Sequence, residues 1–282
     1  MPDVLLPARP VVDDPADARA AAALLADGTA VAHGFGNFYA VTARGDSATV
    51  RRVNVLRGRP HAQVGSITVP VGRLTQAFDL AALPDGLPTR TVEDVVEAFV
   101  GLGPFGFRGP AAPHLPDHLT MLAATPIGLV RTTQVIVPGL TCPSNLFLEA
   151  AAAAVAPTPL FVSSANRSRH LTGAADEPAH WRGDVLRREL AGLPGVVVLE
   201  HADEEAARAR FPQHLPMSTT ILGLHEARVL GGRLCLRLER HGSLAVAEVR
   251  AVLARLGLGL LPGEPVRLSP RVYDAPPGAP EP

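Results

Sequence analysis

Apolar residues recur along the chain in short runs whose spacing switches between the period of helices and that of strands. Val50, Val53 and Leu56 fall on one helical face, and Asp46 or Ser47 is placed to cap that helix. Between residues 233 and 240, leucines occupy the alternate positions 234, 236 and 238, which predicts a strand with one buried face. The mixture of both periods predicts an α/β protein, and the length of 282 residues allows one large domain or two small ones.

Further elements follow from caps, breakers and apolar runs. Predicted helices are the one that begins at Asp14-Pro15 and those over Val71–Leu83, Thr91–Leu102, Ser144–Val155, Val185–Leu190, Glu204–Arg210 and Leu244–Leu256. Predicted strands begin at Val31 and extend over Ser66–Val69, Ile127–Val130, Gln134–Val137, Thr158–Val162, Val196–Leu199, Ser218–Leu222 and Arg233–Arg240. No internal repeat and no sharp domain boundary is visible.

Four stretches lack a regular pattern. Residues 1–13 are predicted to be an extended lead-in, and residues 171–195 are polar and irregular. Residues 103–118 are dense in Gly and Pro, so we expect an ordered loop or lid there instead of a helix or strand. Residues 262–282 form a Pro-rich tail that we expect to be frayed. The intervening residues 14–261 are expected to form one domain.

Composition excludes several classes of protein. The formal net charge of −1 argues against a general nucleic-acid coat, and we expect no DNA partner. Two cysteines far apart indicate neither a disulfide framework nor a zinc site. His114 and His118 are four residues apart, but Pro116 between them spoils helical ligand geometry, so no metal site is predicted. With no signal-peptide pattern and no apolar run long enough to span a membrane, we expect a soluble cytoplasmic protein.

Two places in the chain are suited to binding phosphate. Arg57 and Arg59 lie on the turn that Gly58 and Pro60 impose after a helix, and two guanidiniums on a turn can clamp a polyanion. The alternative is a solvated arginine pair at a helix end. Residues 163–168, rich in Ser and Asn, follow a buried strand, where open α/β sheets hold ligands; the same residues also suit a turn and helix cap. No Gly-rich phosphate loop with lysine, dinucleotide fingerprint, nucleophile elbow or zinc-protease motif is present.

Five short motifs, taken in order, resemble those of one family. They are Asn37-Phe38-Tyr39-Ala40-Val41, Arg57-Gly58-Arg59-Pro60, Ser164-Ala165-Asn166-Arg167-Ser168, Met217-Ser218-Thr219-Thr220-Ile221 and Arg240-His241-Gly242-Ser243-Leu244. YrdC-like proteins, the L-threonylcarbamoyladenylate synthases also called TsaC, usually carry P-T-D-T-x-Y-G-L, K-x-R-P, S-A-N-x-S-G, P-S-T-I and R-x-G-x-I at these places. The resemblance covers roughly residues 16 to 257, with insertions near 103–130 and 171–215.

The resemblance implies a single YrdC-like domain, with a twisted, open mixed sheet flanked by helices around a deep, positively charged cleft. It implies a nucleotidyltransferase-type enzyme that joins ATP, bicarbonate and threonine, releases pyrophosphate and serves tRNA modification together with partner enzymes. ATP and Mg2+ are the implied cofactors, and no residue acts as a nucleophile. Residues implied to bind the nucleotide or neutralise charge are Arg57, Arg59, Ser164, Asn166, Ser218 and Arg240; those implied to bind the amino acid are Phe35, Asn37, Tyr39, Thr68 and Thr219.

The chain also departs from the family's pattern. The usual P-T-D-T is Gly34-Phe35-Gly36-Asn37, the usual Lys of K-x-R-P is Arg57, and N-P-L-I-V-H has become Gln63-Val64-Gly65-Ser66-Ile67-Thr68. Three hypotheses remain open. The first is that the chain makes a carbamoyl-adenylate from threonine or from a different amine, the latter as a paralogue of a specialised pathway. The second is that it binds a nucleotide or RNA without catalysis. The third is that it transfers a carbamoyl group from carbamoyl phosphate.

Overall fold

Seven helices are found in the described part of the chain, and their ends follow local sequence signals. The computed structural model describes residues 6–126, 128–173 and 176–273. The helices are α1 (Pro15–Ala26), α2 (Ser47–Leu56), α3 (Thr89–Leu102), α4 (Ser144–Val155), α5 (Gly183–Leu190), α6 (Glu204–Ala209) and α7 (Val246–Arg255). The Asp14 carboxylate accepts hydrogen bonds from the first backbone N–H groups of α1, and Asp46 does the same for α2. Both predicted caps are confirmed.

The strands form one open, mixed sheet. They are β1 (Ala30–Gly34), β2 (Tyr39–Arg44), β3 (Ser66–Thr68), β4 (Phe105–Pro110), β5 (Met121–Thr125), β6 (Gly128–Val137), β7 (Leu160–Ser164), β8 (Val196–Leu199), β9 (Ile221–Leu230), β10 (Arg233–Arg240) and β11 (Gly259–Leu260). Their order is β11-β10-β9-β4-β6-β3-β7-β2-β1-β8, and β5 pairs with β6 alone. The sheet contains parallel pairs, such as β3 with β6, and antiparallel pairs, such as β2 with β7. The predicted open mixed sheet is confirmed.

Helices cover both faces of this sheet. In β7, Phe161 packs into a core with residues of α2, α3 and α7, whereas its neighbour Val162 packs into a second core with residues of α1 and α4. This alternation follows from the period of two in a strand. The second core also takes in Ala40 of β2 and Ile136 of β6. The face that α1 and α4 cover therefore has an apolar floor close to the ends of β2 and β7.

The prediction for residues 103–118 is wrong for its first half, because β4 lies there, paired with β6 and β9. Phe105 and Phe107 are fully buried in the first core. Two glycines of the strand let neighbouring elements come close: a Cβ on Gly106 would lie 2.8 Å from Ile221, and one on Gly109 would lie 2.8 Å from Phe78. A high glycine content suggests a loop, but here the glycines are needed because Ile221 and Phe78 pack closely against the strand.

Smaller differences concern element boundaries. The helix predicted over residues 71–83 is two 3-10 turns, Val71–Ala77 and Leu80–Ala82, because the Asp79 side chain accepts a hydrogen bond from Ala81 N and caps the second turn separately. The strand predicted from Ser218 begins at Ile221. Ile127, the first residue of another predicted strand, lies outside the described residues, and β6 begins at Gly128.

The segment after Pro262 is held against the domain as far as Tyr273, in contrast to the predicted frayed tail. Leu268 N donates to His241 O at 2.9 Å, and the Arg271 guanidinium donates to Glu177 at 2.9 Å. The Tyr273 hydroxyl accepts from Trp181 N at 3.0 Å. These hydrogen bonds hold the segment in place, and its Pro-rich composition gave no indication of them. Residues 1–5 of the predicted lead-in, residues 174–175 of the second predicted insertion and residues 274–282 of the predicted tail lie outside the described residues.

Candidate functional site

A cleft with two adjoining compartments lies beside the apolar floor of the second core. The inner compartment, about 200 Å³, is bounded by apolar side chains of the core and by polar residues that follow α2. The outer compartment, about 470 Å³, is bounded by residues 176–179 and by residues 267–269 of the C-terminal segment. The two compartments share the side chains of Arg59, Ser164, Asp176, Ser218 and Arg240. A ligand in one compartment would therefore meet a ligand in the other at two guanidiniums.

Arg59 reaches this junction because of the turn that ends α2. Gly58 has a φ of +69°, and a Cβ there would lie 2.5 Å from Ser168 O, so the reversal needs glycine. The Arg59 guanidinium donates to Ser163 Oγ and pairs with Asp176 at 3.3 Å. Burial lowers the pKa of Arg59, and the Asp176 carboxylate opposes that effect. Arg59 Nε is buried and has no hydrogen-bond partner among the described residues.

Arg240 is the second guanidinium at the junction. Its Nε donates to Thr219 O at 2.7 Å and its Nη2 to Thr219 Oγ1 at 2.8 Å, which fixes the direction of the side chain. Burial lowers the pKa of Arg240 to about 10, and the charges of Arg108 and Arg59 contribute to the shift. With a pKa of about 10, Arg240 is protonated at neutral pH. Together with Arg59, which is ion-paired with Asp176, it forms the positively charged part of the cleft.

Arg57 lies behind the cleft. Its Nε donates to Asn166 O at 3.1 Å and its Nη2 to Asn166 Oδ1 at 3.3 Å, while Arg57 O accepts from Ser168 N. The side chain borders a separate small hollow with Leu186 and Glu189. Burial, and then the charge of Arg59, lower the pKa of Arg57 well below its usual range. Arg57 thus supports the loop at 164–168, and the two arginines of the predicted clamp have different places.

The predicted nucleotide-binding residues other than Arg57 come together. Ser164 and Ser218 border both compartments, and Asn166 borders the outer one. Ser164 Oγ donates to Asn166 Oδ1 at 2.5 Å, which orients the amide. Segments distant in sequence therefore converge on one junction.

The predicted amino-acid-binding residues lie outside both compartments. Phe35 is fully buried in the second core, and Asn37 donates to Leu215 O. The Tyr39 hydroxyl donates to Glu204 at 2.7 Å, and burial together with Glu204 raises its pKa. Thr219 lies behind Arg240 and accepts its hydrogen bond. Thr68 borders another hollow, beside the end of α4.

Other residues, which the sequence pattern did not single out, border the inner compartment. Phe38, Ala40, Ile136 and Val162 form its apolar wall, and Gln63, Ser66 and Gln134 are polar members. Asp176 enters from the irregular segment, where no periodic signal marks it. Gln63 and Ser66 lie within the divergent segment that replaces N-P-L-I-V-H, and their position directly after the arginine turn was the available signal.

The polar members of the inner compartment are linked to one another. Gln134 Oε1 accepts from Arg108 Nη2 at 3.1 Å, and Gln134 Nε2 donates to Ser66 Oγ. Arg108 lies near Glu239, with 3.7 Å between the charged groups. This chain of contacts fixes the amide of Gln134, so that it offers the compartment a defined surface.

Neither a metal cluster nor a membrane-spanning helix is evident in the described part of the chain. Within residues 6–126, 128–173 and 176–273, no group of three or more His, Cys, Asp or Glu side chains is arranged to hold a metal ion. Among the helices of these described ranges, none combines the length and the apolar character that a membrane span requires.

Comparison with known proteins supports the fold. No protein-family model matches the chain, and no curated protein matches it by sequence. The structure is similar to that of P. abyssi Sua5 complexed with L-threonine, with a TM-score of 0.59 and 18% identity over 88% of this chain and 60% of that chain. It is also similar to E. coli YciO, with a TM-score of 0.51 and 15% identity over 75% of this chain and 85% of that chain.

These similarities define the class of fold. Sua5 and YciO have YrdC-like domains, so the YrdC-like fold expected from the sequence is confirmed, and at these identities the likeness is one of fold. The chain spans about 60% of the length of the Sua5 chain that it matches. The particular reaction of this chain is therefore a matter for proposal.

Proposed function

We propose that the chain is an ATP-dependent synthase that joins bicarbonate and an amine to the adenylyl group of ATP and releases pyrophosphate. The observation that carries the proposal is the pair of adjoining compartments with Arg59 and Arg240 at their junction. The outer volume lies within the range of about 300–1000 Å³ found for small-molecule sites, and the inner one suits a smaller molecule. Sua5, which has the same fold, has been crystallised with L-threonine.

The reaction has two balanced steps. The amine attacks bicarbonate to give a carbamate and water, and a carbamate oxygen then attacks the α-phosphorus of ATP, so that the bond to the β-phosphate breaks and pyrophosphate leaves. Negative charge accumulates where carbamate and triphosphate meet. Two fixed guanidiniums at that point would stabilise it without reorganising, and the compartments would hold the reactants in contact. No side chain has to act as a nucleophile.

Mg2+ has no evident protein ligand in the cleft. The two carboxylates that border the outer compartment are already paired: Asp176 with Arg59, and Glu177 with Arg169 and Arg271. These residues do not fit a metal site. The ion would arrive on the triphosphate, since Mg2+ is commonly held by substrate phosphates and water. We also propose that the adenylate is passed to enzymes of tRNA modification.

A binding-only function is the second candidate, and one observation favours it. Arg57 replaces the family's lysine and turns away from the cleft toward Asn166. The cleft therefore has one fewer cation than the resemblance implied. Binding would survive on Arg59 and Arg240, whereas transition-state stabilisation is more sensitive to a missing charge.

Pyrophosphate release distinguishes the two candidates. The full chain is incubated with ATP, Mg2+ and bicarbonate, and amino acids or simple amines are added one at a time. We expect release that requires both bicarbonate and an amine. Arg59→Met should abolish it, and Arg90→Met, on the exposed side of α3, serves as the matched control. ATP binding without release for any amine would support the binding-only candidate.

A further inference from the structure

Polar side chains on three neighbouring strands lie in one row across the sheet, beside the inner compartment. Arg108 of β4 is paired in register with Gln134 of β6. Strands β3 and β6 are also paired, in a register that places Ser66 beside Gln134. Residues at the same level of neighbouring strands point to the same face of a sheet. Gln134 and Ser66 border the inner compartment, so this row leads from Arg108 to the cleft.

The direction of the hydrogen bonds in this row follows from the chemistry of arginine. A guanidinium has only donors, so the Gln134 atom that lies 3.1 Å from Arg108 Nη2 must be the oxygen, Oε1. The amide nitrogen is then turned toward Ser66, and it donates to Ser66 Oγ. Because Ser66 Oγ accepts that bond, its own proton is left for another acceptor. A neutral amide in place of Arg108 would allow either orientation of Gln134.

Arg108 is held from the far side of the row by a carboxylate. Its Nη1 lies 3.7 Å from Glu239 of β10. Gly223 of β9 is paired in register with Arg108, and a Cβ on Gly223 would lie 2.9 Å from Glu239 Oε1. Glycine at this position therefore lets the carboxylate approach the guanidinium. Arg108 thus lies between a group that holds it and an amide that it orients.

This row gives the inner compartment two hydrogen-bond donors. A primary amide has two N–H groups, and the bond to Ser66 uses one of those of Gln134, so the second N–H and the Ser66 hydroxyl proton remain. The guanidiniums of Arg59 and Arg240 border the same compartment. The Asp176 carboxylate on this border is paired with Arg59 at 3.3 Å. Such a set of donors is complementary to an anion whose oxygens accept hydrogen bonds.

We propose that Arg108 is a positioning residue of the cleft: by fixing the orientation of the Gln134 amide, it makes the inner compartment a donor-lined site for a small oxyanion. Arg108 acts through Gln134, and neither residue was singled out by the sequence motifs. The inference rests on the proposed function only for the place of that anion in a reaction. Binding of an oxyanion tests it without turnover.

The test is calorimetric titration of the full chain and its variants with sulfate, whose oxygens only accept hydrogen bonds. Gln134→Met should weaken sulfate binding about tenfold, because a hydrogen bond to a charged group is lost. Arg108→Met should have a similar effect, because the amide can then turn its oxygen toward the compartment. The double variant Arg108→Met/Gln134→Met should bind sulfate no more weakly than Gln134→Met does, since a residue that acts through another adds no further loss once that other residue is gone.

Further variants separate positioning from charge alone. Arg108→Lys keeps a side chain that only donates, so it should restore most of the affinity that Arg108→Met loses. Arg237→Met is the matched control: Arg237 is paired in register with Gly223 in the same row, but its guanidinium donates to Glu226, so sulfate binding should stay almost unchanged. Thermal unfolding confirms that each variant is folded. Arg108→Gln takes the place of Arg108→Met if the latter is not, because an amide can present either its oxygen or its nitrogen to Gln134.

The outcomes separate this inference from the proposed function. A double variant that loses no more affinity than the single variants supports the inference, even if pyrophosphate release is never seen, in which case the proposed reaction alone is overturned. Losses that multiply in the double variant overturn the inference, because Arg108 would then act independently of Gln134. Unchanged sulfate binding by Arg108→Met, or no sulfate binding by the unmodified chain, also overturns it. Bicarbonate-dependent release by the unmodified chain would leave the proposed reaction in place in each of these cases.

Discussion

Replacing Arg59 by methionine should separate the stability of this protein from its ability to bind a nucleotide. Methionine has a similar length and no charge. It would remove the hydrogen bond to Ser163 and the ion pair with Asp176, but also a buried Nε that lacks a partner. The consequences for folding and for binding can be worked out separately.

For folding, the opposing terms nearly cancel. The Asp176 side chain is 45% exposed, so its pairing with Arg59 contributes about 0–1 kcal/mol. The hydrogen bond to Ser163 contributes about 1.5–3 kcal/mol, and relief of the unpartnered Nε returns about 1–3 kcal/mol. Apolar replacement of buried charge is often neutral for this reason. We expect the free energy of unfolding to change by less than about 2 kcal/mol.

For binding, the loss is not compensated. A hydrogen bond from a guanidinium to phosphate contributes about 1.5–3 kcal/mol, and each 1.4 kcal/mol is a factor of about ten. ATP should therefore bind Arg59→Met about 10–100-fold more weakly than the unmodified chain. Arg57→Met should behave in the opposite way, because it leaves Asn166 O unsatisfied and removes no group from the cleft.

Urea unfolding and calorimetric titration with ATP measure the two quantities on the same samples. The reasoning is refuted if Arg59→Met loses more than about 3 kcal/mol of stability while ATP affinity stays unchanged. It is also refuted if Arg57→Met weakens ATP binding more than Arg59→Met does. Either result would contradict the assignment of Arg59 to ligand binding in the cleft and of Arg57 to support of the loop at 164–168.

The remaining predictions concern stability. Burial lowers the pKa values of three histidines from 6.5 to about 3 (His33), about 4 (His201) and about 4 (His214). Below pH 6.5 the unfolded chain therefore binds more protons than the folded chain, so the free energy of unfolding should fall as pH decreases from 6.5 toward 4. Urea titrations at several pH values measure it, and a constant free energy of unfolding would contradict this prediction. Gly58→Ala should destabilise by more than about 1 kcal/mol, since φ is positive and Ser168 O is too close, and an unchanged unfolding temperature would be evidence against that strain. Thr220→Val should cost about 2–3 kcal/mol, because Thr220 Oγ1 contacts Gly242 N and both backbone groups of Leu244; denaturant midpoints measure it, and a loss below about 0.5 kcal/mol would contradict it.

Much of the fold follows from local signals. Asp14 and Asp46 mark helix starts by side chains that can cap, and the strand from Arg233 to Arg240 has the predicted bounds. Strand β4 was missed because its glycines are required by the approach of Ile221 and Phe78, which are distant in sequence. Local composition cannot distinguish that requirement from a loop.

The candidate site was predictable in part. The turn after α2 indicated an arginine pair, but which of the two faces the cleft depends on Gly58 and on its contact with Ser168. The amino-acid pocket was predicted to include Phe35, Asn37 and Tyr39, yet Phe35 and Tyr39 are buried in the two cores and Asn37 donates to Leu215 O. Phe38 is the residue of this segment that borders the compartment. Asp176 arrives from an irregular insertion, so its position depends on tertiary structure alone.

Mass spectrometry of the product formed from ATP, ¹³C-bicarbonate and each amino acid of the pyrophosphate-release panel in turn tests the central claim most directly. The account predicts an adenylate that contains the amino acid and one ¹³C atom, formed together with pyrophosphate and lost in Arg59→Met. Recovery of unreacted ATP, or of products without the label, with every amino acid of the panel and from a chain that binds ATP would contradict it.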